Sequence, residues 1–65
     1  MKISKKLIQL YMADQKLTVK LLAEKSGMKP QNLSNILTKG HCKPATAGRI
    51  ADALGVDVQK IIKED

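Results

Sequence analysis

Gln31 and Asn35 stand four residues apart, one helical turn, with Ser34 beside them. A helix through this segment therefore shows two amides on one side. A carboxamide carries a donor and an acceptor together. That combination matches the edge of adenine in the major groove of DNA, where a good bidentate contact gives roughly 1–3 kcal/mol of discrimination. An ordinary solvated helix face is the other use of such residues, and the surrounding chain decides between them.

The nearby cations favour a polyanion. Lys39, His41 and Lys43 form a basic loop after the amide segment, suited to sequence-independent, salt-sensitive phosphate contacts. Thr18-Val19-Lys20 opens one helix without an acid, and Lys29-Pro30-Gln31-Asn32 opens the next without one. Free N–H groups at a helix start, with lysine close by, seat phosphate. Lys2, Lys5 and Lys6 read first as a solvated face, with DNA or a membrane surface as their other uses. Met1 to Arg49 holds ten Lys and Arg against two acids, Asp14 and Glu24, a balance of +8. Ile50 to Asp65 holds two Lys against four acids, a balance of −2, giving the net charge of +6. The pattern predicts a basic face and a near-neutral or acidic tail.

Other chemistries find little support. No paired carboxylates or nucleophile–base pair is evident, and His41 has no such partner nearby in sequence, so no catalytic residue is expected. The single Cys42 excludes an internal disulfide, and with His41 alone beside it cannot complete four zinc ligands. No metal, cofactor or small-molecule ligand is expected. The start, MKISKKLIQLYMADQ, has no uninterrupted apolar region of signal-peptide length, and no run approaches a membrane span, which points to the cytoplasm.

Sixty-five residues make one domain with a small core. Apolar residues recur at helical spacing throughout. Ile3, Leu7, Ile8, Tyr11 and Met12 predict a first helix from about Ser4 to Gln15. Thr18 caps a second, Val19 to Lys25, with Leu21, Leu22 and Ala23 as its apolar side, and Gly27 stops it. Pro30 starts a third helix whose inner face is Leu33, Ile36 and Leu37, ended by Gly40. Pro44 opens a fourth through Ile50, Ala51 and Leu54, stopped by Gly55. Asp57 caps a short fifth helix with Val58, Ile61 and Ile62. Strand signals are absent, so the fold class is all-α, five short helices in a compact domain.

Leu22 to Met28 and Ile50 to Val56 echo one another: apolar, Ala, acid, two residues, Gly, apolar. Shared helix-stop chemistry explains the echo, since Gly followed by an apolar residue closes a helix. A helix-turn-helix also needs a small residue where the second helix crosses the first, a Gly in the turn, and apolar residues to fix the angle. Ala23, Gly27, and Leu22, Met28, Leu33 and Ile36 fill those positions. After Gly55 comes Asp57, which would repel phosphate. The first copy is therefore the one that can approach DNA.

The segments LTVKLLAEKSGMKPQNLSNI, Leu17 to Ile36, and KPATAGRIADALGVDVQKII, Lys43 to Ile62, resemble the phage Cro/repressor-type helix-turn-helix family, also called the xenobiotic-response-element family or lambda-repressor-like fold. The resemblance covers nearly the whole chain. It implies that the helix matching Lys29–Thr38 enters the major groove, with helices two and three as the motif. Base contacts carry over to Gln31 and Asn35, with Lys29, Asn32 and Ser34 as secondary candidates. Phosphate contacts carry over to Thr18, Val19 and Lys20 at the start of helix two, and to Lys39, His41 and Lys43 in the loop. Three departures stand out. Val19 replaces a frequent Gln. Lys29 before Pro30 replaces a frequent Ser or Thr. Met12 and Leu37 occupy the places of a buried Arg–Glu pair, and apolar residues on both sides can replace such a pair at no loss, so these two are expected to touch.

The whole reads as a small sequence-specific regulator of double-stranded DNA, with repression by operator occupancy as its mode. A protein-interaction module on the same fold, such as the antitoxin of a toxin–antitoxin pair, is the alternative. The apolar tail, Val56, Val58, Ile61 and Ile62, either forms a homodimer contact through the C-terminal helix or closes the core.

Overall fold

Serine and threonine start the first two helices, and lysine–proline steps start the next two. In the computed structural model, which describes residues 1–63, these become α1 (Lys5–Gln15), α2 (Val19–Ser26), α3 (Pro30–Lys39) and α4 (Pro44–Leu54). The Ser4 hydroxyl accepts from the Leu7 N–H at 3.2 Å, and the Thr18 hydroxyl accepts from the Leu21 N–H at 3.1 Å. Each satisfies one of the four donors that a helix start leaves open. Lys29 and Lys43 cap α3 and α4 without a side-chain hydrogen bond, and proline follows each.

The echo between α2 and α4 is a shared stop. Gly27 and Gly55 take φ of 73° and 71°. Beyond them the N–H of Met28 donates to Ala23 O at 2.8 Å, and that of Val56 to Ala51 O at 3.0 Å. Both are Schellman closures. A Cβ at Gly27 would meet nothing within 4 Å, so any substitution there acts through the backbone alone. Gly27→Val should cost about 1–2 kcal/mol, and Gly27→Asn clearly less, since Asn tolerates the left-handed region. Thermal unfolding of both variants measures the difference. Equal losses would mean that space, not backbone conformation, selects the glycine.

The four helices enclose one core. Ile3, Ile8, Leu22, Leu33, Ile50 and Ile61 are its fully buried large side chains. Ala23 and Ala51 are buried as well. α2 packs against both α3 and α4, while α1 packs chiefly on α4. Met12 and Leu37 are both buried in this one cluster. The Gln15 amide donates to Leu54 O at 2.6 Å, satisfying a carbonyl at the end of α4.

The expected fifth helix is not an α-helix. Val58–Lys60 forms a single 3-10 turn, and Asp57 makes no side-chain cap. The cause lies at the opposite end of the chain. Ser4 N–H donates to Ile61 O at 2.7 Å, Lys63 N–H donates to Lys2 O at 3.2 Å, and Ile3 pairs with Ile62 in an isolated antiparallel bridge. Backbone pairing draws the tail into extended form before a second helical turn can close. Lys2 pairs likewise with His41, so short bridges exist where strand signals were absent, although no strand forms among the described residues.

Smaller differences have similarly local causes. Ser4 is the cap rather than the first residue of α1. α2 runs one residue further, to Ser26, whose buried hydroxyl donates back to Leu22 O at 2.8 Å. Leu21, expected on the inner side of α2, is exposed, and so is Leu7 of α1. In the tail, Ile61 is fully buried, and Val56 and Val58 pack against the core. Of the two readings of the apolar tail, closure of the core accounts for Ile61, Val56 and Val58.

Candidate nucleic-acid interface

α3 divides cleanly. Leu33 and Leu37 are buried, Ile36 is half-buried, and Gln31, Asn32, Ser34, Asn35 and Thr38 are exposed. Gln31 and Asn35 lie at the centre of the exposed arc, as the four-residue spacing requires. The Thr38 hydroxyl donates to Ser34 O at 3.0 Å, which anchors the last turn and leaves the two amides to solvent.

A groove of about 530 Å³ runs along α3 against α4. Lys29, Asn32, Asn35, Lys39, Thr46 and Arg49 line it. It continues past Asn35, Lys39 and Thr46 into a hollow of about 670 Å³ that His41, Lys43 and Met1 also line. The structure thus brings Lys29, Asn32 and Asn35 together with the three residues of the basic loop. Gln31 and Ser34 line neither hollow and stand exposed on α3. Thr18, Val19 and Lys20 lie apart from both, at the start of α2. A larger cleft of about 810 Å³ lies between the C-terminal ends of α2 and α4, but Glu24 and Asp52 line it as well as Lys25 and Arg49, a balance that does not favour a polyanion.

Thr46 and Arg49 were missed by sequence reasoning. They form a polar i,i+3 pair on a helix otherwise rich in alanine, a weak signal that becomes legible only once α4 is seen beside α3.

The helix starts are open to an anion. The first bonded N–H in α3 is that of Leu33, which donates to Lys29 O at 3.1 Å, and in α4 that of Ala47, which donates to Lys43 O at 3.0 Å. Proline fills the first position of each, so the N–H groups of Gln31 and Asn32, and of Ala45 and Thr46, have no intrahelical acceptor. In α2 the groups of Val19 and Lys20 are open in the same way. The Val19 side chain packs against the core, so only its N–H faces outward. Thr18 accepts from Leu21 and keeps its own hydroxyl proton to donate. None of α2, α3 and α4 has an acid in its first turn.

The loop carrying Lys39, His41 and Lys43 is held from behind. The Ile3 N–H donates to Gly40 O at 2.9 Å, and the Cys42 N–H donates to Met1 O at 3.0 Å. Partial burial pushes the Cys42 thiol up, against a smaller opposite pull from the positive N-terminus. Cys42 is accordingly a quiet packing residue beneath a basic loop. Among the described residues no group of three or more His, Cys, Asp and Glu is placed to hold a metal.

A helix-turn-helix family model matches residues 8–61. The chain belongs to the helix-turn-helix family of the XRE type. The match spans α2 and α3 with their glycine turn, as well as α4 and the buried Ile61. No curated protein and no solved structure matches the chain significantly. At the level of the family it is a DNA-binding helix-turn-helix domain, consistent with the Cro/repressor type. No helix among the described residues is long and apolar enough to cross a membrane.

Proposed function

We propose that this helix-turn-helix protein is a sequence-specific regulator of transcription that reads the major groove with α3 and represses by occupying an operator. The observation that carries the reading is the exposed Gln31–Asn35 amide face, framed by acid-free helix starts and the Lys39–Lys43 loop. In this reading the amides face base edges and favour adenine. Asn32, Ser34 and Lys29 lie around them as secondary contacts. Open N–H groups at the start of α2, with Thr18 and Lys20, hold one strand's phosphates, and Lys39, His41 and Lys43 hold the other's. An α-helix with its side chains is about 10–12 Å across, and the major groove that would admit α3 is about 12 Å wide.

Binding to a duplex at several salt concentrations tests the phosphate half of the assignment. The logarithm of affinity should fall linearly with the logarithm of salt. Lys39→Ala should weaken all sequences alike and reduce that slope by about 1. Affinity indifferent to salt, or a Lys39→Ala loss confined to one sequence, would contradict the assignment.

A further inference from the structure

Four large apolar side chains stand exposed, Met1, Leu7, Leu10 and Leu21, and α1 is the one helix that carries two of them. Leu7 and Leu10 are 37% and 56% exposed, one turn apart, and Ala13 follows them, exposed as well. Ile8 and Met12 already supply the inner side of this helix, and its main helical partner is α4 rather than the α2–α3 pair. Leu10 sits midway between two exposed charges of opposite sign, Lys6 and Asp14. The three form one i, i+4, i+8 row, the kind of ridge through which helices pack.

That row is complementary to itself when reversed. We propose that α1 is a self-association surface, pairing antiparallel with α1 of a second copy across a two-fold axis at Leu10. Leu10 meets Leu10 of the partner subunit, Leu7 packs on Ala13 of the partner subunit, and Lys6 faces Asp14 of the partner subunit, twice over. The charges select a second copy over other occupants. Asp14 is one of two acids among the first 49 residues. A uniformly acidic or basic partner would meet one favourable and one repelling end of the row, whereas another copy satisfies both. Two-fold pairing is also the commonest closed symmetry.

The contact is small. Eleven residues of helix make a strip about 16 Å long, well below the ~800 Å² per partner typical of stable complexes. The dimer therefore dissociates at low micromolar concentration and forms as the protein is concentrated. Sedimentation equilibrium of the free protein, without DNA, from about 10 μM to about 1 mM at low salt reads this directly, across the range where weak pairs assemble. The mass should rise from 7.1 kDa toward twice that value. Lys6→Asp and Asp14→Lys should each weaken association at least about tenfold, because each places two like-charge contacts in the dimer. The combined variant should restore association. All sites are exposed, and circular dichroism checks that each variant stays helical. A wild-type mass constant to about 1 mM, or a combined variant no better than the single ones, would overturn the proposal. With no DNA in the cell, neither result depends on whether α3 reads bases.

Discussion

Leu33→Ala should destabilise the domain by about 2–5 kcal/mol. Leu33 is fully buried on the inner side of α3, in one core with Leu22 and Ile50. Its truncation removes apolar contact and leaves a cavity that a small core cannot readily close. A domain of this length has only roughly 3–10 kcal/mol of total stability, at about 0.05–0.15 kcal/mol per residue. The substitution therefore takes a large share of it, and a substantial unfolded fraction at 37 °C is expected. Urea unfolding followed by circular dichroism measures the loss. A change under about 1 kcal/mol would mean that α3 is not held by this core contact. DNA affinity should fall with the folded fraction, because Leu33 lies between Asn32 and Ser34 on the helix that presents them.

The second large effect concerns preference rather than stability. Gln31→Ala and Asn35→Ala should each remove roughly 1–3 kcal/mol of discrimination at particular base pairs, about 5- to 150-fold. Both side chains are exposed and neither supports the core, so unfolding midpoints should stay nearly unchanged. Lys39→Ala is the contrast, since its loss should be spread evenly over all sequences. If the alanine variants lost affinity uniformly while Lys39→Ala relaxed preference at one position, the assignment of base reader and phosphate holder would be reversed. Asn35 lies where the α3–α4 groove meets the basic loop, and Gln31 stands outside it. Their losses are therefore expected at different base pairs.

The helix ends at Gly27, Gly40 and Gly55 were legible because local chemistry decides them. Glycine reaches positive φ without strain, and the bonds that close the helix need nothing distant. The end of α1 carries no such mark. Lys16 adopts φ of 58° without being glycine, and Leu17 N–H closes on Met12 O at 2.8 Å. The fifth helix was misread for a complementary reason. Val58, Ile61 and Ile62 have helical spacing, but the two chain ends pair through backbone groups, and backbone groups leave no trace in residue type. A second backbone pairing, of Cys42 N–H with Met1 O and of Lys2 with His41, brings Met1 beside the basic loop. In the interface, Gln31 and Asn35 were legible from one period of one helix. Thr46 and Arg49 were not, because their place depends on how α4 lies against α3. Leu7, Leu10 and Leu21 show the limit of counting apolar residues, since helical spacing names a side without saying whether another element covers it.

Selection of duplexes from a randomised library, repeated at several salt concentrations, tests the central claim most directly. The account predicts an enriched sequence with A·T pairs at the positions facing Gln31 and Asn35, and preference at those positions lost in the two alanine variants. Retention of DNA without any enriched sequence, or no retention at low salt, would contradict a sequence-specific regulator.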